Sequence, residues 1–568
     1  VIRRLLLALV ALLLVTGCSG VPERSDPVVV GPPPSGADDA DSAGIQPGGP
    51  DPGAPTDEIV RGFIKALTAT DTSYAVAREF LVPEVRKSWS PSEDVTIIDP
   101  SVGATPGAEE GTVRFNAKRL ARVDEQGTYH LDAGAIDYGF RLKQVKGQWR
   151  IVNPPGDLVI DSKSFQSLYK DASIYFADPS GTRLVPDVRY FRTNLQQRAN
   201  RLVQALIDGP ISALADGVRN ELSGGVKLRS AVTYKPDLIT VDLTGLGQKS
   251  EAQRRIVSAQ IMWTLNDLGA TSARITNDGD PLQMTGVGDI QTTNDWDQYD
   301  PGAYPFNAAA YYIDGGGVVT ETGAKVPGPV GSGEYAISEA ALSVDGTRIA
   351  AISAGAGQPV LRTGGINEIL SVVDLPGTTT LTTPTWGPST DEFWVVRNGT
   401  EIVRVSSKGA PKSVGVSALA DLGPIRRIAL SRDGARLAVI AGVPGGAGRL
   451  YVATVQTTAD AVTVINPVLL SADLDVSAVV WRDARTLAIL GRPSPTGTVF
   501  PYTMLVDDSQ RQQLPAPVLS GEAVAIAAAP GKAFLCSINQ TVLKLRDSTW
   551  VSLTPGVVVS GARPFYPG

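Results

Sequence analysis

The chain has 568 residues, with 51 Lys and Arg against 58 Asp and Glu, and Gly (59) and Pro (41) are both plentiful. Net acidity without a basic run excludes a nucleic-acid-binding surface. One histidine, His130, and two cysteines, Cys18 and Cys536, are too few for a Cys/His zinc site and leave little material for nucleophile–base catalysis. The length predicts roughly three or four domains, and the Gly/Pro content with few aromatics predicts many turns and short strands.

Val1 reads as a non-AUG bacterial start. Arg3 and Arg4 precede an apolar stretch, Leu5 to Val15. That stretch falls short of the ~20 residues a membrane-spanning helix needs and matches the apolar region of a secretory signal. Val15-Thr16-Gly17-Cys18 then resembles the lipobox of bacterial lipoproteins. The resemblance implies a signal peptide over 1–17 and cleavage between Gly17 and Cys18. The Cys18 sulfur would carry a diacylglyceryl group and its freed amine an acyl chain. Two or three chains hold a protein stably at a membrane where one does not. Residues 18–55 form a Pro-rich tether, up to about 110 Å long if fully extended as polyproline II.

Residues 56–161 read as an α+β domain. Ile59, Phe63, Ile64 and Leu67 share a helical face, and a second helical piece spans Tyr74 to Phe80. Strands are predicted over Asp94–Asp99, Thr112–Val123, Tyr129–Leu131, Ile136–Val145 and Trp149–Val152. The ending LKQVKGQWRIVNPP resembles the last hairpin of an NTF2-like domain. His130, flanking a strand, reads as structural rather than as a catalytic base.

Residues 162–295 form a second α+β domain. IYFADPSGTRLVPDVRYF reads as a hairpin turning at Pro179-Ser180-Gly181. Leu195, Ala199, Leu202, Val203 and Leu206 make a helical stripe stopped by Gly209-Pro210. VKLRSAVTY and LITVDLTG alternate as strands, and Ser250 with Gln253 forms a capping box for a helix reaching Leu268. Asp278 and Asp280, flanking Gly279, read as turn residues rather than a metal or acid/base pair. RLVQALIDGP, TVDLTG, SAQIMWTLNDLG and ITNDGDP together resemble the GerMN domain of bacterial envelope and sporulation proteins, which implies an extracytoplasmic role.

Residues 296–568 repeat. ALSVDGTRIAAIS, TWGPSTDEFWVV, ALSRDGARLAVIA, VWRDARTLAIL and AAAPGKAFLCSI begin 44 to 51 residues apart. Each is an apolar strand, a polar turn and a second apolar strand, the rhythm of a WD40-like β-propeller. Six blades are predicted, within a range of five to seven. Asp345-Gly346 and Asp433-Gly434 read as hairpin turns rather than calcium ligands. Cys536 reads as a small buried hydrophobe. With Cys18 lipidated, no intramolecular disulfide is expected.

Lipobox, Pro-rich tether, NTF2-like domain, GerMN domain and propeller, in that order, resemble the actinobacterial LpqB lipoprotein family. The resemblance implies a membrane-anchored extracytoplasmic protein, without enzymatic activity, that modulates a two-component sensor kinase in envelope homeostasis and division. Its expected partners are the membrane, the kinase's extracytoplasmic domain and a cell-wall component. An alternative is a wall-fragment-binding lipoprotein. An envelope enzyme cleaving glycan or peptide is the weaker reading. GxSxG and HExxH are missing, and Gly531-Lys532 is followed by Ala533 without the first glycine of a phosphate loop. The acid pairs Asp124-Glu125 and Asp507-Asp508 read as solvated loops. No catalytic, cofactor-binding or metal-binding residue is assigned.

Overall fold

The computed structural model describes residues 47–568, except 70, 270, 355–356, 407–409, 444, 494–496 and 518–520 and the side chains of 196 and 354. Gly17, Cys18 and the tether up to residue 46 lie outside the described residues.

The first helix, Thr56–Ala66, carries Asp57 and Glu58 in its first turn and Lys65 in its last, matching the helix dipole. It buries Ile59, Val60, Phe63 and Ile64. Around it curls a sheet of β1 (Val95–Ile98), β2 (Gly103–Pro106), β3 (Thr112–Val123), β4 (Tyr129–Val145), β5 (Gln148–Ile151) and β6 (Leu158–Asp161). The order is β5-β4-β3-β1-β6, with β2 beside β3. Alternation in β3 buries Val113, Phe115, Ala117, Ala121 and Val123. Register shifts at Leu120, against both β1 and β4, bend the sheet. The two strands expected between Tyr129 and Val145 are one, because the irregularity there bends the ladder without breaking it. β2, β6 and a helix at Pro83–Ser88 are only four to six residues each, too short for a periodic signal.

The second domain starts with a hairpin, β7 (Tyr169–Ala177) and β8 (Leu184–Arg192). The helices Leu195–Asp208 and Glu251–Asn266 follow as their stripes and caps predict, the second with the Ser250/Gln253 capping box formed. β9 (Lys227–Leu228) and β10 (Thr233–Lys235) are one interrupted strand along β11 (Leu238–Thr244). A crossover through Glu251–Asn266 makes β12 (Ala273–Asn277) parallel to β11. Asp278 and Gly279 turn with φ of 56° and 92°, as a tight hairpin requires.

The third domain is built mainly of strands. Five four-stranded sheets begin with Ile337–Leu342, Thr385–Trp386, Ile425–Leu430, Asp475–Trp481 and Ala523–Ala527. In a further, three-stranded sheet, β13 (Tyr311–Asp314) pairs on one side with β14 (Gly317–Thr320) and on the other with Pro564–Phe565. The end of the domain thus completes the sheet begun at its start. Buried tryptophans stitch neighbouring sheets. The Trp386 indole N–H donates to the Ala341 carbonyl (3.0 Å) and that of Trp481 to Ala429 (2.9 Å).

Asp345 and Asp433 hold their turns by accepting from the Ser343 and Ser431 hydroxyls and from the backbone N–H of Thr347 and Ala435. Cys536 is fully buried, and burial pushes its thiol up to about 12, so it is inert as a nucleophile at neutral pH.

Candidate binding surfaces

β8 joins the three domains. Residues 184–191, LVPDVRYF, are buried without alternation. Leu184 and Phe191 enter the core of the second domain, while Val188 and Tyr190 enter that of the first. Val185 packs with Leu214 and with Ala435 of the third domain. One strand therefore feeds three apolar clusters. Inside it, Asp187 and Arg189 lie two residues apart, so a strand places them on one face. Their side chains are 0% and 1% exposed and pair at 2.7 Å. Arg189 also donates to the Gln126 carbonyl of the first domain (3.0 Å) and to the Gly209 carbonyl of the second (3.0 Å).

The third domain is tied on by polar contacts. Buried Arg436 donates to the Pro186 carbonyl, Arg183 to Pro388 (2.9 Å), and Thr454 to Ala213 (2.6 Å). Asp171 accepts from Arg485 (2.7 Å) and Gln510 (3.1 Å), and the Tyr190 hydroxyl meets that of Ser509. Gly217 comes so close that a Cβ there would lie 2.6 Å from the Thr454 methyl, so a larger residue would have to displace Thr454.

Two clefts flank this junction. A cleft of about 630 Å³ separates the first two domains. On its wall the Arg192 guanidinium lies 5.5 Å from the ring centroids of both Tyr74 and Tyr169 and donates to both hydroxyls (3.1 and 3.2 Å). Arg201 pairs with Glu93 across the same cleft. A second cleft, of about 780 Å³, runs between Phe165, Tyr169 and the Arg485–Gln512 region of the third domain. Arginine and tyrosine supply hydrogen-bond donors and ring faces suited to binding.

The single histidine sits on β4, half-exposed, sharing a 2.9 Å hydrogen bond with Asp124 across the β3–β4 turn. That bond raises the His130 pKa. Burial opposes, but the bonds from His130, Thr128 and Gln126 keep Asp124 below the usual carboxylate range. Asp124 and His130 thus clasp a turn.

The reading of Asp507-Asp508 as a solvated loop is corrected. The Asp508 side chain is 6% exposed, and one Asp507 oxygen is buried with no hydrogen-bond partner among the described residues. The pair tops a hairpin of the third domain that inserts against Tyr129 and Tyr190 of the other domains. The missed signal is the Ser509 that follows, which accompanies a turn folded back on its own carboxylate: Asp507 accepts from the Ser509 N–H at 3.1 Å.

Burial pushes Asp507 up to about 6, with Asp171 adding to it and the Ser509 bonds opposing. Asp508 adjoins it in the chain, and Arg436 is close enough for their charges to interact. The native state holds this proton more tightly than the unfolded chain, whose value is near 3.8. The group's contribution is therefore complete below about pH 4 and is lost as pH rises through about 6. Asp507→Asn is expected to raise stability at pH 7 by about 1–2 kcal/mol and to flatten the pH dependence in that window. Denaturant melts across pH 4–7 would show it; an unchanged pH profile would contradict it.

The fold and its junction define a class: a three-domain protein with two α+β domains wedged by one hairpin against a β-propeller. Family models place it further. Residues 49–166 match the lipoprotein LpqB N-terminal domain, 173–283 a sporulation and spore germination domain, and 316–567 the lipoprotein LpqB beta-propeller domain. Lipoprotein LpqB of Rhodococcus opacus is 30% identical over 605 residues, covering 99% of this chain and 97% of its own. That of Mycolicibacterium smegmatis is 30% identical over 612 residues, covering all of both chains. The beta-propeller domain of the Trilobed protease from Pyrococcus furiosus is similar over 39% of this chain and 72% of its own, with 12% identity and a TM-score of 0.26. The chain belongs to the lipoprotein LpqB family. Among the described residues no helix is long and apolar enough to cross a membrane.

Proposed function

We propose that this chain is a lipid-anchored, non-catalytic accessory protein of the extracytoplasmic face that engages a sensor kinase's extracytoplasmic domain and biases its signalling. The observation that carries the reading is β8 feeding three cores. Domains joined through a buried strand and a buried ion pair present their surfaces in a fixed relation. A fixed surface can prefer one of two partner conformations, and only such differential affinity shifts a partner's equilibrium. Family membership supports the lipoprotein part of the reading, and the kinase is the partner implied by the sequence resemblance. Crosslinking in intact cells should trap the kinase ectodomain, and deletion should change phosphorylation of its response regulator. Recovery of no kinase together with unchanged phosphorylation would sink the reading.

Anchorage rests on Cys18. Cys18→Ala is expected to leave the folded domains intact, the precursor uncleaved and the protein without metabolic lipid label. Label persisting in that variant would overturn the anchor. A second reading, capture of a wall fragment, is favoured by the arginine- and tyrosine-lined cleft between the first two domains. Thermal shift against muropeptides, beside pull-down of the kinase domain, separates the two.

A further inference from the structure

The hub of the propeller ends in a charged ring. Glu339 and Arg427 occupy equivalent positions on the innermost strands of two sheets, Ala478 and Ala525 the same position on two others, and Thr383 and Arg563 lie just ahead of the innermost strands of the remaining two. The hub cavity is about 110 Å³. The ring lies at the strand ends opposite the Asp345-Gly346 and Asp433-Gly434 hairpins. The second domain docks on the hairpin side, through Pro388, Arg436 and Arg485. The ring therefore borders the mouth that this docking leaves free. The hairpin-side mouth is plugged: Arg432 lies 5.1 Å from the Tyr304 ring and donates to the carbonyls of Trp481 (3.3 Å) and Gly568 (3.2 Å).

The charges at the free mouth do not balance. Glu339 accepts from Thr383 at 2.7 Å and lies 3.4 Å from Arg563 Nε. Arg563 also donates to the Val524 carbonyl (3.0 Å). Arg427, half-buried at the same level, has no hydrogen bond or ion pair among the described residues. Burial holds its pKa below the ordinary arginine range, Glu339 opposing and Arg563 adding to the shift. A half-buried guanidinium whose nearest counter-charge, Glu339, is already engaged by Thr383 and Arg563 is costly, and an anion entering the mouth would relieve it. Two guanidiniums against one carboxylate leave one positive charge, which a monoanion neutralises. A dianion would be opposed by Glu339. Past the ring the cavity is lined by Ala341, Thr385, Ala429, Val480, Ala527 and Phe565, and the three alanines leave room for a methyl-sized group.

We propose that the free mouth of the propeller hub binds the terminal carboxylate of a peptide ending in a small apolar residue, with Arg427 as its main partner and Arg563 beside it. The site goes beyond the accessory role above and does not depend on a kinase being the partner. Arginine suits this task because its planar fork matches a carboxylate in two parallel hydrogen bonds.

Titration calorimetry on the full chain tests it, with N-acetyl-alanine, N-acetyl-alanine amide and inorganic phosphate as probes. The acid should bind saturably, and the amide and phosphate roughly tenfold or more weakly. Arg427→Met should weaken the acid by a similar factor. Glu339→Gln should tighten it severalfold, by freeing Arg563 and removing a competing charge. A folded protein that ignores the acid would overturn the proposal, as would one that binds acid and amide equally. Tighter binding of phosphate, or an affinity unchanged in Arg427→Met, would do the same. Should Arg427→Met fail to fold, the direction of the Glu339→Gln effect still decides.

Discussion

Replacing Arg189 by methionine is expected to lower the unfolding free energy by roughly 3–5 kcal/mol, the range for breaking a buried pair and stranding its partner. Two of the three guanidinium nitrogens of Arg189 hold Asp187, and two reach carbonyls at Gln126 and Gly209. Methionine fills the space but returns none of these bonds. Among the described residues Asp187 would keep only the hydrogen bond from the Ile211 N–H at 3.0 Å, and its other oxygen has no partner to begin with. The Gln126 loop would also lose its tie to β8, so limited proteolysis should cut there sooner. The double change Asp187→Leu with Arg189→Met removes the stranded charge and should cost less than Arg189→Met alone. Denaturant titration followed by circular dichroism measures both. A single-variant loss under about 1 kcal/mol would show that the junction does not depend on this pair.

Deleting residues 563–568 is expected to open the propeller. Pro564–Phe565 forms the hub strand of the three-stranded sheet, with Phe565 stacked on Tyr311 at 5.9 Å. Tyr566 is buried and donates to the Ala533 carbonyl (2.8 Å), Tyr304 donates to Pro567 (2.9 Å), and the Gly568 N–H donates to Leu342 (2.9 Å). Each large side chain is worth about 1.5–3 kcal/mol when fully buried, and each hydrogen bond about 1 kcal/mol. The loss should therefore reach on the order of 5 kcal/mol or more. It also bares a strand edge, which invites association between copies. Thermal melts should show a lower and broader transition, with aggregation on size exclusion. A truncated chain melting as the intact one does would show that ring closure contributes little.

Much of the fold was legible because its elements obey local rules. The stripe Ile59–Leu67, the Ser250/Gln253 box, the turn at Asp278-Gly279 and the five apolar hairpins are periodicities and caps within a few residues. They recur in the structure at those places. The reading failed where burial comes from distant chain. Asp507-Asp508 reads as solvated from its own neighbourhood, yet the first two domains cover it. In LVPDVRYF nothing local marks the Asp and the Arg as buried; the fold encloses them by pairing Asp187 with Arg189 and setting Arg189 against the Gln126 and Gly209 carbonyls. The hub ring was equally hidden, since Glu339 and Arg563 meet across more than two hundred residues.

The sequence by itself determined the order of domains, the strands and turns within each, and the Cys18 motif. All of these follow from spacing along the chain, because backbone period and turn chemistry act over a few residues. Only the tertiary structure decided which charges are buried, how β8 is shared among three apolar clusters, how the last strand completes the first sheet, and why Arg427 has no ion pair among the described residues. Burial and pairing depend on which surfaces the fold brings together, and a charged side chain carries no local mark of the neighbours that will enclose it.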